Sequence, residues 1–152
     1  MTRLPLARVV LDSSVVIKWF REGEASRDKA LELRQAYLDG HLSILFPDLL
    51  IYEIANVLRY KPDLSREQVR LAVQSLFDMG IDIVGITTQV IGQSIELAYD
   101  YEVTVYDASF IALAMESDAH FVTADERLFR KVSMLEHVHF LGDVHLPSLE
   151  ST

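Results

Sequence analysis

Four acids, Asp12, Glu53, Asp107 and Asp125, stand where their presence needs a chemical reason. Asp12 directly follows Val9-Val10-Leu11, a run that reads as a buried strand, and a bare carboxylate is costly there unless something compensates it. Asp125 lies two residues past His120-Phe121-Val122-Thr123, so it too emerges at a strand's carboxyl end, the edge at which open parallel sheets bind ligands. Glu53 falls on the stripe Leu49, Tyr52, Glu53, Asn56 of a helix whose Leu50, Ile54, Val57 and Leu58 make an apolar face. Asn56, one turn on, is placed to hydrogen-bond to Glu53 or to something it holds. Asp107 opens a helix, Ala108 to Met115, that is apolar almost all round and so belongs deep in the core.

Each acid also has a plainer explanation. Asp12 and Asp125 could cap the helices that follow them, Asp107 could complete a cap with Thr104, and Glu53 could be solvated. The joint pattern favours chemistry. Four carboxylates gathered by the fold would repel one another, raise one another's pKa values and destabilise the site unless cations lay between them. Hard oxygen ligands with no cysteine and no obvious histidine partner select Mg²⁺ or Mn²⁺. Such ions activate water and stabilise the leaving oxygen in phosphodiester cleavage.

Placing these acids requires elements that alternate. Strand candidates are Arg8 to Leu11, Leu42 to Phe46, Ile81 to Ile86, His120 to Thr123 and Val138 to Leu141, with helical patterns between them. Asp48 opens one helix, which Pro62 closes. Ser65 with Gln68 forms a capping box for a second, stopped by Gly80, and Thr87 or Thr88 starts a third that runs to about Asp100. Thr104 with Asp107, and Thr123 with Glu126, read as further boxes. This order predicts a three-layer α/β/α sandwich: a mostly parallel, roughly five-stranded central sheet with about seven helices.

Length and composition agree. The 152 residues fit a single domain, 1–152, and half of them are hydrophobic, enough for a core without staples. With no cysteine, there is no disulfide framework, thiolate metal site or cysteine nucleophile. No apolar run reaches the roughly 18 residues of a membrane span, and the chain reads as unexported and cytoplasmic. A net charge of -9 argues against coating nucleic acid by bulk electrostatics, but leaves room for a metal-dependent enzyme acting on it.

These residues resemble those of the PIN-domain ribonucleases, most closely the VapC-type toxins of toxin–antitoxin pairs. The resemblance spans nearly the whole chain, from VVLDSSVVIKWF through PDLLIYEIANVL and VYDASFIALAMES to FVTADERLFRKV. It implies that Asp12, Glu53, Asp107 and Asp125 form an acidic quartet that positions one or two Mg²⁺ or Mn²⁺ ions for hydrolysis of RNA. It matches Thr123 to the family's hydroxyl residue two positions before the last acid, and Ser13 to the small polar residue after the first. It further implies a PIN-like fold, a homodimer, and a cognate antitoxin that inserts a segment into the acidic groove.

Other readings compete at single positions. Lys18, Arg21, Arg127, Arg130 and Lys131 flank the acids and could hold phosphates, although solvated helix faces explain them better. Trp19 could stack a base, but core or interface packing is the better expectation. His137 and His139, with His145 beyond, suggest zinc only weakly, since no third ligand has convincing spacing. A haloacid-dehalogenase phosphohydrolase needs a second acid at the position of Ser14, and a response-regulator receiver needs paired acids near the first strand. The alternatives that remain are a protein-binding module whose acids only cap helices, and a PIN-domain nuclease outside toxin–antitoxin systems.

Overall fold

A computed structural model describes residues 2–3 and 8–146. Five strands form one parallel sheet: β2 (Arg8–Leu11), β3 (Ser43–Pro47), β4 (Asp82–Val84), β5 (His120–Thr123) and β6 (Val138–Phe140), in the order β4-β3-β2-β5-β6. A separate parallel pairing joins β1 (Thr2–Arg3) to β7 (Val144–His145), which the apolar pattern does not announce. Seven α-helices complete the described residues: α1 (Ser13–Val16), α2 (Arg27–Leu38), α3 (Leu49–Arg59), α4 (Arg66–Asp78), α5 (Thr88–Tyr101), α6 (Val105–Glu116) and α7 (Glu126–Val132). The architecture is the expected α/β sandwich.

The strands are short apolar runs because a parallel sheet buries both faces. Val9, Val10, Leu11, Phe121 and Val122 are all fully buried. The central strand, β2, pairs Val9 with Ile44 on one side and with His120 on the other. From β2 the chain steps outward to β3 and β4, then returns through α5 and α6 to β5 and steps the opposite way to β6. The strand order therefore reverses between β2 and β5, and a crevice opens at their carboxyl ends. Asp12 follows one of these strands and Asp125 lies just past the other.

Helix ends follow local chemistry. Ser65 and Gln68 make a reciprocal capping box at α4: the Ser65 hydroxyl accepts from the Gln68 N–H, and the Gln68 side chain accepts from the Ser65 N–H. Gly80, at φ 71°, then turns the chain out of the helix in the left-handed region where a side chain would be strained. Thr87 accepts from the Val90 N–H at the start of α5. At α6 the Thr104 hydroxyl accepts from the Asp107 N–H at 3.0 Å.

Several expectations change. Thr123 caps nothing: it is the last residue of β5, and the cap of α7 is Asp125, whose Oδ1 accepts from the Leu128 N–H at 3.1 Å. Only Leu50, Ile54 and Leu58 bury the apolar side of α3, and Val57 is exposed. Met115 also reaches solvent, at the end of the otherwise buried α6. Trp19, as expected, sits in the core, its Nε1 donating to the Ala30 carbonyl at 2.8 Å. Lys18 lies on no solvated face: it is buried, 3.8 Å from Glu24.

Ser65→Ala should lower stability by about 1 kcal/mol, the usual cost of losing an N-cap. Urea denaturation measures this, and an unchanged midpoint would mean that α4 is held by packing alone.

Candidate active site

The carboxylate of Asp12 is almost completely buried, 4 % exposed, at the carboxyl end of β2. Its own N–H donates to the Val122 carbonyl at 2.9 Å, which extends the sheet pairing one residue further. Although Asp12 begins α1, its side chain makes no cap bond. Instead Oδ2 receives two hydroxyl protons, from Ser14 Oγ at 2.7 Å and from Thr123 Oγ1 at 2.8 Å. Each hydroxyl also accepts from the backbone after β5: Ser14 from the Ala124 N–H at 2.9 Å, and Thr123 from the Asp125 N–H at 3.0 Å. The two hydroxyls are also 3.4 Å apart, but each has only one proton to give, and the shorter contacts, 2.7 and 2.8 Å, direct both protons to Asp12. Oδ1 keeps no hydrogen bond among the described residues.

This small network ties the end of β2 to the turn that presents Asp125. Of the two serines that keep the turn after Asp12 polar, Ser14, and not the expected Ser13, bonds to its carboxylate. Its signal was available: a second hydroxyl residue two positions after an acid at a strand end.

Glu53, half-buried on α3, projects toward the same end of the sheet. Its Oε1 is buried and accepts no hydrogen bond. Desolvation, followed by repulsion from Asp12 and Asp107, raises its pKa to about 7, against a small opposing effect of the Ser13 hydroxyl. Asp12 is raised to about 6, first by burial and then by Asp107 and Asp125, despite the two hydroxyls that favour its ionised form. Asp107 is likewise held above the ordinary carboxylate range, by burial and by Asp125, against the opposing effects of the Thr104 side chain and the Lys131 ammonium. These mutual effects place all four acids in one electrostatic neighbourhood.

Asp107 and Asp125 share a cleft of about 260 Å³ with Arg127, Lys131 and Thr104. Glu53 and Asn56 instead line an open concavity beside Tyr52 and Arg59, and Asn56 makes no hydrogen bond to Glu53 among the described residues. Arg21 is absorbed by Asp63, 2.9 Å from both carboxylate oxygens, and Arg130 by Glu126 at 3.4 Å. His139 Nε2 lies 2.8 Å from His120 Nδ1, which fits the edge-strand reading of these histidines rather than a zinc centre.

Among the described residues no group of three or more histidine, aspartate or glutamate side chains converges tightly enough to enclose an ion. The donor set nevertheless fits a small hard cation: every ligand candidate is a carboxylate oxygen, one of them is buried without a partner, and three carry raised pKa values. Mg²⁺ keeps several waters and is commonly held by one or two carboxylates, so a closed cage is not required.

Comparison with known proteins agrees with this construction. Residues 9–134 match the PIN domain, and the chain belongs to that family, whose members are nucleases. A toxin–antitoxin complex from Klebsiella pneumoniae has a chain of the same fold, with a TM-score of 0.63 at 15 % identity over 86 % of this chain and 94 % of that one. VapBC2 from Rickettsia felis, bound to a fragment of its promoter DNA, gives 0.65 at 13 % identity over 92 % and 98 %. VapC20 of Mycobacterium tuberculosis, described as a toxin that cleaves the sarcin–ricin loop, gives 0.60 at 12 % identity over 76 % and 87 %. No curated protein sequence matches the chain.

The raised pKa of Asp12 has a direct consequence for stability. Between its unfolded value near 3.8 and its folded value near 6, the folded state binds more protons, so stability falls as pH rises through that window. Asp12→Asn removes the buried charge and keeps the shape. Without divalent ions, it should be more stable than the unsubstituted protein by up to about 3 kcal/mol at pH 7.5, and by much less at pH 4.5. Urea denaturation in chelator at the two pH values tests this; an equal difference at both would exclude desolvation of Asp12 as the cause.

Proposed function

We propose that the protein is a Mg²⁺- or Mn²⁺-dependent endoribonuclease, the toxin of a type II toxin–antitoxin pair, with Asp12, Glu53, Asp107 and Asp125 as its catalytic and metal-binding acids. The observation that carries this reading is the unbalanced negative charge at the carboxyl ends of β2 and β5. Asp12 is buried and bonded only by neutral hydroxyls, and Glu53 Oε1 is buried with no partner. An enzyme whose acids were structural would pair them with arginine or lysine, or would leave them in water.

In this reading Ser14 and Thr123 hold Asp12 by one oxygen and leave Oδ1 without a hydrogen bond among the described residues. Glu53 approaches from α3, with Ser13 beside it, and Asn56 supports that rim. Asp107, in the first turn of α6, shares the cleft with Asp125. Asp125 serves twice, since Oδ1 caps α7 while its other oxygen remains for a ligand. A divalent ion held here supplies charge neutralisation at the scissile phosphate and lowers the pKa of the attacking water.

The toxin assignment draws on the likeness to structures described as toxin–antitoxin complexes, and RNA as substrate draws on one described as an RNA-loop-cleaving toxin. With it come an antitoxin partner, a homodimer and a cytoplasmic site of action. Among the described residues no helix is long and apolar enough to cross a membrane.

Mn²⁺ at millimolar concentration should raise the melting temperature of the unsubstituted protein by mass action and leave that of Asp12→Asn nearly unmoved. A protein-binding module with capping acids would show no Mn²⁺ effect in either. On mixed RNA, the unsubstituted protein should cleave only with Mg²⁺ or Mn²⁺, and Asp12→Asn and Asp107→Asn should each lose activity by about 100-fold or more. Metal-dependent cleavage that survives both substitutions would overturn the site.

A further inference from the structure

The acidic site has a basic wall that forms no ion pair with the carboxylates among the described residues, although the charge of Lys131 is felt by Asp107. Helix α7 presents two faces. On one, Glu126 and Arg130 pair with each other in solvent. On the other, Arg127 and Lys131, one helical turn apart, line the cleft that also holds Asp107 and Asp125. Were these cations there to neutralise the acids, ion pairs would form across so small a cleft. Among the described residues Arg127 makes neither a salt bridge nor a hydrogen bond, and Lys131 donates instead to the Glu102 carbonyl at 2.8 Å. That bond steadies the ammonium at the rim without consuming its charge.

An unpaired guanidinium and a tethered ammonium beside carboxylates suited to a divalent ion divide one anionic ligand into two parts. The ion takes one phosphate and the basic wall takes the next. We propose that Arg127 and Lys131 bind a backbone phosphate adjacent to the scissile one and so set the strand's register across the acids. This rests on the nuclease reading above. It assigns the two residues to substrate positioning and makes no base contact, since a guanidinium fork fits phosphate oxygens whatever the sequence. The chain's net charge of -9 makes such a local wall the more necessary, because bulk electrostatics do not favour binding a polyanion.

The test separates this proposal from the activity on which it rests. Binding of a fluorescent single-stranded 12-nucleotide RNA is measured by anisotropy in Ca²⁺ across a series of salt concentrations, for the unsubstituted protein, Arg127→Ala, Lys131→Ala, the double variant and Arg130→Ala. Each cleft variant should weaken binding by about tenfold, and should flatten the slope of log K against log salt by about 0.7, the signature of one lost phosphate contact on a single strand. Arg127→Lys should recover the slope but only part of the affinity, and Arg130→Ala should change neither. In cleavage assays the same variants should raise KM while leaving kcat within about twofold. Equal slopes for the unsubstituted protein and the double variant, or no RNA binding by the unsubstituted protein at the lowest salt, would overturn the assignment. Normal binding with no cleavage in Mg²⁺ or Mn²⁺ would overturn the nuclease reading and leave the phosphate wall standing.

Discussion

Everything at the acidic edge depends on how one oxygen of Asp12 is held. Two hydroxyls, from Ser14 and Thr123, give their only protons to Oδ2, and backbone N–H groups of the turn after β5 fix them there. A lysine or arginine in their place would satisfy the charge and end its usefulness. Neutral donors orient the carboxylate and leave most of its charge uncompensated, so its pKa stays raised even though both bonds favour ionisation. The same bonds join the two central strands beyond the last sheet pairing, so the geometry of Asp12 and that of Asp125 are one constraint.

Fold topology explains why that constraint lies where it does. Strands β2 and β5 are neighbours whose onward connections leave in opposite directions, so the space beyond their carboxyl ends is not covered by a crossover. Acids reach this space from four separate segments: a strand end, a helix interior at Glu53, the first turn of α6 and the turn before α7. None of them is adjacent in sequence to the next, and bringing them together costs electrostatic free energy that the core must offset. The fully buried core side chains, Phe46, Phe110 and Phe121 with Leu11, Leu50 and Ile54 among them, supply the burial able to do so.

Much of this was legible in the sequence because the relevant signals are local. A continuous apolar run of three or four residues followed by an acid marks a buried parallel strand and its carboxyl edge, and β2 and β5 begin and end where that pattern places them. The capping box at Ser65 has a fixed spacing and is equally readable. What escaped notice depends on distance in space. The bond between Ser14 and the Ala124 N–H joins residues 110 apart, and no periodicity announces it. The assignment of Thr123 to a helix cap failed for a related reason: its hydroxyl was claimed by Asp12 from across the sheet, and Asp125 took the cap. Lys18 was misjudged because a lone lysine near a helix reads as solvated, and only the packing of α2 against the segment after α1 shows it buried beside Glu24.

The role of Asp125 shows why capping and chemistry were never true alternatives. A cap uses one lone-pair direction on one carboxylate oxygen, and an ionised aspartate offers about four. The bond from Leu128 therefore fixes the rotamer of Asp125 at little cost to its capacity as a ligand, much as the hydroxyls fix Asp12. Asp107 is held through its backbone, since its N–H donates to Thr104, and its carboxylate stands against the charge of Asp125. At Asp12 and Asp125 a local structural bond takes one carboxylate oxygen and leaves the other without a hydrogen bond among the described residues. Preorganising acids by bonds that do not neutralise them lets repulsive charges be held in one place before any cation arrives.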